Sequence, residues 1–197
     1  MICLTQTAFV STMGGRRTIG ELSVNDMIMT GTGKAEQPKA IMNRVLTGRD
    51  LTVQRHLKPI LIRAGALGTN LPTHDMMVSP NQRVQVHRDL APVHVTEEYT
   101  FVAAKHLVNN DGVFEMTTTA ADFIHICFPG HTAIAINGLW VECFQPNDTS
   151  YGSVGNAQRT EVLELFPDLK YISAPPAVEP IGEGPEPAPK KKRFFFF

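Results

Sequence analysis

The sequence predicts an all-β fold built from short antiparallel strands. Runs rich in β-branched and aromatic residues recur roughly every eight to fifteen residues, and glycine, proline and asparagine separate them. Helical periodicity is scarce, and the prolines between Pro59 and Pro92 would interrupt a longer helix. Short strands at this spacing favour an all-β domain over alternating strand–helix–strand units. With 197 residues, 43% of them hydrophobic, the chain suits one packed domain and a tail.

The predicted elements follow these runs in chain order. Strands are predicted at Thr7–Thr12, Met27–Thr30, Ala40–Leu46, Ile60–Ile62, Met76–Val78, Val84–Val86, Tyr99–Val102 and Val113–Met116. Short helical turns are predicted at Thr18–Leu22 and Ala103–Leu107, and a better-formed helix is favoured at Glu161–Phe166.

The segment Asp122–Cys143 is the one around which the rest of the chain is organised. A strand run through Phe123–Ile126 ends at Pro129-Gly130, and Thr132–Ile136 begins another run. The dipeptide Asn137-Gly138 then predicts a tight hairpin turn into a further strand.

Three ionisable side chains fall within or beside these apolar runs: His125, His131 and Glu142. Polar groups placed in such strands need partners, which makes this segment the first candidate for chemistry. For each histidine, a role as proton donor or orienting group stands beside the alternative of a hydrogen-bonded strand residue. Glu142 is expected to pair with a basic residue rather than to act as a base.

Charge and composition argue against several classes of function. The formal net charge is -1, so the charge balance gives no indication of a nucleic-acid partner. No apolar run approaches the roughly 20 residues of a membrane span, and the N-terminus shows no secretory signal, which makes the cytoplasm the default expectation. Cys3, Cys127 and Cys143 lack the close spacing of a zinc knuckle and are interpreted as thiols of a reducing compartment.

The C-terminal part of the chain has a different composition. From about Ser173 it is rich in proline, and it ends in a basic run, Lys190–Arg193, followed by Phe194–Phe197. Such sequence buries too little apolar surface to order itself, so we expect a domain over residues 1–170 and a disordered tail over residues 171–197. The four phenylalanines offer a hydrophobic docking point for a protein partner.

Four segments taken together resemble the bacterial Hint (hedgehog/intein) domain family. They are Cys3 with the later Gly20–Gly33, then Leu57–Val86, Ala103–Val113 and Asp122–Cys143. The resemblance extends over roughly residues 3 to 168 and implies an all-β horseshoe of two pseudo-symmetric halves.

An internal echo in the sequence agrees with two related halves. Thr18–Met29 and Phe101–Phe114 both run from a short helical turn through Leu-x-x-Asn-Asp into a strand.

The resemblance also implies self-processing of the protein's own polypeptide, without a cofactor. Cys3 would attack the peptide bond before it in an N-to-S acyl shift and form a thioester. A cysteine thiol has a pKa of about 8.5 and is mostly protonated near neutral pH, so it needs a neighbouring base to attack as a thiolate. The leaving amide nitrogen needs a proton, which a histidine with a pKa of about 6.5 can supply.

The family pattern assigns residues to these roles. His131 stands at the histidine of the late Hint block, and His125 lies shortly before it. Ser79 and Gln82, in Ser-Pro-Asn-Gln, occupy the motif that normally supplies the histidine activating the scissile amide.

Departures from the family pattern predict weakened or lost processing. Gln82 stands where the family has histidine, and an amide donates hydrogen bonds but does not shuttle protons at neutral pH. Glu142-Cys143 replaces the His-Asn pair of the last intein block, so asparagine cyclisation and splicing are not expected. Only Met1-Ile2 precedes Cys3 in this sequence, so cleavage there would release a dipeptide.

Two alternatives stand beside autoprocessing. The chain would instead be a non-catalytic Hint-fold binding or structural module that docks a partner through its tail, or an unrelated all-β module. Because the ends of a Hint domain converge, a regulatory disulfide between Cys3 and Cys143 is a further option. A zinc site formed by His125, His131, Cys127 and Cys143 is disfavoured, because their spacing matches no standard zinc pattern.

Overall fold

A computed structural model describes residues 6–143 and 154–169 of the chain. Within them the strands are β1 (Phe9–Thr12), β2 (Gly15–Thr18), β3 (Ile28–Met29), β4 (Ala35–Glu36), β5 (Ala40–Thr47), β6 (Ile60–Ile62), β7 (Met76–Val78), β8 (Arg83–His87), β9 (Tyr99–Ala103), β10 (Val113–Glu115), β11 (Ala120–Cys127), β12 (Thr132–Ile136) and β13 (Leu139–Cys143). The helices are α1 (Gly48–Val53) and α2 (Val154–Leu165), with 3-10 turns at Ile19–Glu21, Arg55–Leu57, Arg88–Leu90 and Ala104–Leu107. The predicted all-β class is confirmed.

The hairpin of β12 and β13 lies at the centre of the main sheet. The strand order is β4-β3-β1-β12-β13-β8-β9, with β2 paired to β1. Val10 of β1 pairs with Ile136 on one side of the hairpin, and Val84 of β8 pairs with Val141 on the other. Two smaller sheets, β10-β6-β7 and β11-β5, complete the strand pairings of the described residues. The hairpin part of the predicted organising segment, Thr132–Cys143, therefore lies at the centre of the main sheet, whereas its first part belongs to β11 and the separate β11-β5 sheet.

The two sides of the main sheet repeat one pattern. The antiparallel hairpin β1–β2 leads into the turn Ile19–Glu21 and then β3, and the hairpin β8–β9 leads into the turn Ala104–Leu107 and then β10. These are the two segments that echo each other in sequence. The chain is a curled antiparallel arrangement of two related halves, with the central hairpin between them.

The turn of the central hairpin also forms two hydrogen bonds with the first strand, β1. Asn137 and Gly138 have φ values of 47° and 80°, the left-handed conformation that a two-residue hairpin turn requires. Asn137 N donates to Phe9 O at 2.9 Å, and Phe9 N donates to Asn137 Oδ1 at 2.9 Å. The predicted Asn-Gly turn therefore joins β1 to the hairpin.

Strand β11 separates two apolar cores. Its successive side chains point to opposite faces, as in any strand, so Ile124 and Ile126 enter the main core while Phe123 and Cys127 enter the second. The second core lies where α2 packs over β5 and β11, and α2 and the residues just after it contribute Val162, Leu165, Phe166 and Leu169. His125, between Phe123 and Cys127, faces the same side.

The structure differs from the predicted elements mainly where the segments are short. β2 and β4 were not predicted, and α2 begins at Val154 rather than at Glu161. Helix α1 was also missed, although a capping box begins it: Thr47 N donates to Asp50 Oδ2 at 2.8 Å, and the Thr47 hydroxyl accepts from Asp50 N.

No helix in the described ranges is long and apolar enough to cross a membrane. The predicted domain boundary near residue 170 and the proline-rich tail lie outside the described residues.

Candidate functional site

A buried carboxylate, Glu142, connects three neighbouring strands of the main sheet. Only 3% of its side chain is exposed. Its Oε1 accepts from Arg83 Nη1 of β8 at 3.0 Å and lies 3.0 Å from Nε2 of His131, the residue before β12. Gln158 Nε2, from α2, donates to Oε2 at 3.3 Å. The expected pairing of Glu142 with a basic residue is confirmed.

The charge state of Glu142 follows from these contacts. Burial alone would raise its pKa, but the hydrogen bond with His131 and the positive charge of Arg83 outweigh burial, so the pKa lies below its ordinary value. Glu142 is therefore a carboxylate at neutral pH. A buried carboxylate at this distance fixes the orientation of the imidazole.

His131 combines a fixed ring with access to the outside. Its side chain keeps 28% of its surface exposed while Nε2 faces Glu142. An imidazole held by a carboxylate and still reachable by a substrate has the geometry of a general acid or base.

His125 has a different environment. It lies in the middle of β11, opposite Met42 of β5, and is completely buried. Neither ring nitrogen has a hydrogen-bond partner among the described residues, and the ring stacks on Phe166 with centroids 5.5 Å apart. Burial holds the pKa of His125 well below its ordinary value, so the imidazole is neutral at neutral pH. The alternative of a hydrogen-bonded strand histidine finds no partner for it within residues 6–143 and 154–169.

The Ser79–Gln82 segment forms a buried turn that enters β8. Gln82 N donates to Ser79 O at 3.0 Å. The side-chain Nε2 of Gln82 donates at 3.0 Å to two backbone carbonyls, those of Arg83 and Glu142. Both amide hydrogens are therefore used, one locally at the start of β8 and one in joining β8 to β13, and Gln82 is fully buried.

Helix α2 meets this turn through a second buried carboxylate. Glu161 Oε2 accepts from Asn81 N at 3.1 Å and from Asn81 Nδ2 at 2.7 Å. Burial raises the pKa of Glu161, while the nearby Ser79 side chain, the hydrogen bonds from Asn81 and the charge of Lys105 act in the opposite direction. Ser79 is thus placed against Glu161 rather than against either histidine.

The described thiols are poorly suited to nucleophilic attack. Cys127 and Cys143 are both buried and unbridged. Burial raises the pKa of Cys127 to about 11 and that of Cys143 further still, so both stay protonated at neutral pH. Cys3, and with it the proposed disulfide to Cys143, lies outside the described residues. In the ranges that the structure covers, no group of three or more side chains could hold a metal ion.

The structure brings most of the predicted site residues into one connected region. Gln82, Glu142 and His131 are joined directly by hydrogen bonds. Ser79 joins through its turn, whereas His125 lies against the second core, where its ring contacts Phe166.

Sequence reasoning missed three contributors, Arg83, Gln158 and Glu161. Arg83 gave a signal, since it is a charged residue at the start of an apolar strand run directly after Gln82. The two helix residues gave none, because their burial depends on where α2 docks.

Comparison with known proteins identifies the family. A family model of the Hint domain matches residues 2–148. The chain belongs to the Hint domain family. The two related halves and the central hairpin are thus the two halves and late block of a Hint domain, as the sequence resemblance implied.

Several inteins are among the solved structures similar to this Hint domain. A DnaB intein from Synechocystis sp. PCC 6803 aligns with a TM-score of 0.46 at 12% identity, covering 73% of this chain and 99% of that chain. The gp41-1 intein aligns with a TM-score of 0.42 at 12% identity, covering 72% of this chain and 98% of that chain. No curated protein sequence matches the chain.

Proposed function

We propose that this Hint protein processes its own polypeptide at Cys3, slowly and without splicing. In the proposed step the imidazole of His131 takes the proton of the Cys3 thiol, and the sulfur attacks the carbonyl carbon of the preceding residue. The C–N bond breaks as the Cys3 nitrogen takes a proton from His131, which leaves a thioester. Water or an added thiol then cleaves the thioester and releases the upstream segment.

The contact between His131 and Glu142 is the observation that carries this proposal. An imidazole that is 28% exposed lies 3.0 Å from a carboxylate that is 3% exposed, within the block where the family places its late histidine. Such a pair sets the direction of the ring, which a proton donor to a leaving nitrogen needs. His125 is completely buried and neutral, and its two ring nitrogens have no hydrogen-bond partner among the described residues, which supports a second role as an orienting group.

The surroundings of Gln82 account for the low activity in this proposal. The family's histidine at this position would polarise the scissile amide, but Gln82 cannot exchange a proton at neutral pH. Its two amide hydrogens are already bonded to the carbonyls of Arg83 and Glu142. We therefore expect the acyl shift to lack one of its usual proton donors.

The absence of splicing follows from the end of the central hairpin. Glu142 and Cys143 end β13 in place of the His-Asn pair of inteins, and Glu142 is bonded to Arg83 and His131. With no asparagine there, the chain has no group to cyclise at this position.

A second candidate is a Hint fold kept as a non-catalytic binding or structural module. The burial of the Ser79–Gln82 turn beneath α2 supports this alternative, because a peptide bond would have to reach a surface that the helix occupies. Docking of a protein partner through the proline-rich tail belongs to the same alternative.

A fusion experiment separates the two candidates. A folded carrier protein is placed before Cys3, and the fusion is incubated with and without dithiothreitol. Processing predicts thiol-dependent release of the carrier that disappears in Cys3→Ala and slows in His131→Ala, while His94→Ala, an exposed histidine in the loop before β9, leaves it unchanged. An intact fusion under every condition supports the module.

A further inference from the structure

Helix α2 is an addition to the Hint domain rather than one of its matched elements. The family match ends at residue 148, and α2 begins at Val154. The helix nevertheless packs directly on the candidate site, and it supplies much of the second core.

Three contacts of α2 and its C-terminal end fall on three separate parts of the candidate site. Glu161 accepts two hydrogen bonds from Asn81, next to Gln82. Gln158 donates to Glu142, the partner of His131. Phe166, just after the helix, stacks its ring on His125 at 5.5 Å between centroids. The helix therefore lies over the residues that the proposed chemistry uses.

The part of this interface that lies against the candidate site is polar, and there the chemistry favours separation over permanent packing. Gln158 and Glu161 are 3% and 2% exposed, so α2 buries an amide and a carboxylate against the site. Buried polar and ionic groups of this kind add little stability compared with apolar side chains of similar volume. Interfaces between parts of a chain that move relative to each other are more polar than a continuous core.

Packing at one edge of the helix is also incomplete. A cavity of about 500 Å³ lies between Ala157 and Gln158 of α2 and the sheet residues Arg83, Phe101 and Val102. A helix edge that borders a cavity loses contacts on that side, so undocking disturbs fewer of them.

We propose that α2 is a displaceable cover that holds the processing site closed. This regulation rests on the proposed function: with α2 docked, the scissile peptide and the attacking water or thiol are kept from His125 and the Ser79–Gln82 turn. When α2 undocks, those residues become accessible while the central hairpin stays folded.

Hydrogen exchange tests the motion of the cover without any need for activity. In the full chain, the amides of α2 are expected to exchange at least about tenfold faster than those of β12 and β13, through an opening that leaves the sheet intact. Equal protection of α2 and the central hairpin would overturn the proposal, because the helix would then open only when the whole domain unfolds.

Single substitutions in α2 test whether opening of this helix exposes the residues beneath it. Glu161→Ala and, separately, Gln158→Ala are expected to speed exchange of α2 and alkylation of the buried Cys127 by about tenfold or more. Arg159→Ala, on the exposed face of the same helix, should change neither rate. Exchange of β13 in each variant shows whether the domain has been destabilised as a whole.

The same variants in the carrier fusion distinguish the two proposals. Faster carrier release in Glu161→Ala and Gln158→Ala, with no change in Arg159→Ala, supports the cover and the function together. Faster α2 exchange with no release in any fusion contradicts the proposed function and supports only the motion. Unchanged exchange in both variants overturns the cover, whatever the fusion does.

Discussion

Glu142 Oε1 lies 3.0 Å from His131 Nε2, and the carboxylate is almost entirely buried while the imidazole is not. The pair joins the end of the central hairpin to its beginning. The hydrogen bond with His131 and the guanidinium of a third member, Arg83, together keep the carboxylate charged despite its burial.

Removing the carboxylate should therefore destabilise the domain. Glu142→Ala leaves Arg83, whose side chain is 18% exposed, without its ion-pair partner, and we expect a loss of roughly 3 kcal/mol in the free energy of unfolding. Urea titration measures the change. As a control, Glu115→Ala removes an ion pair with Lys58 in which the carboxylate is 57% exposed, and it should cost at most about 1 kcal/mol. Equal losses in both variants would contradict the burial argument.

The burial of Glu161 predicts that the free energy of unfolding depends on pH. The sign of this dependence is opposite to the one that a paired carboxylate produces. Its pKa in the folded chain is raised above the ordinary 4.5, so the folded state keeps a proton that the unfolded chain has already lost. The resulting stabilisation is complete below pH 4.5 and is lost as the pH rises through the folded-state pKa.

Glu161→Gln tests this sign, because glutamine keeps an oxygen for Asn81 and has no charge to bury. The variant should match the native protein near pH 4 and exceed it in unfolding free energy at pH 7. Glu97→Gln, an exposed loop residue, should show no such divergence. The measured quantity is the unfolding free energy of the variant minus that of the native protein. A lower value of this difference at pH 7 than at pH 4 would contradict the raised pKa.

Restoring the histidine of the family motif should raise activity. Gln82→His supplies a proton-transferring ring beside the candidate site, and we expect carrier release to increase by up to roughly 10²-fold. Because the amide bonds to two backbone carbonyls are partly lost, the unfolding free energy should fall by about 1 kcal/mol. Gln82→Ala loses the same bonds without gaining a ring, so its release rate should not rise. Equal release from both variants would show that proton transfer at position 82 has no part in the reaction.

The hairpin turn gives a prediction about the fold alone. Gly138 has a φ of 80°, and an added Cβ would lie 3.4 Å from side-chain atoms of Leu71 and Thr73. Gly138→Ala should lower the unfolding free energy by about 1–2 kcal/mol, since a residue with a Cβ adopts this conformation at that cost. Gly130→Ala, at the other end of β12, has open space and an ordinary φ, so it should change stability by less than about 0.5 kcal/mol.

How much the sequence predicts depends on whether a feature is local. The turn at Asn137-Gly138, most of the strands and the echo between the two halves are encoded in neighbouring residues, and all are found. Strands of two residues, such as β4, carry too little pattern to detect. The cover formed by α2 depends on a docking that brings Glu161 to Asn81, and no local spacing encodes that contact.

The same distinction between local and long-range features applies to the candidate site. The sequence indicated His131, His125 and Gln82 through the family motif, and it indicated that Glu142 would find a basic partner. It could not indicate that Gln82 would bond to the carbonyl of Glu142, because that contact exists only once β8 lies beside β13.

The most direct test of the account is the chemical form in which the carrier leaves the fusion. Incubation with hydrazine should release carrier whose intact mass corresponds to a C-terminal hydrazide, because hydrazine intercepts a thioester, and Cys3→Ala should abolish this product. Carrier that leaves only as the free acid, at the same rate with and without the Cys3 thiol, would contradict an acyl shift at this cysteine.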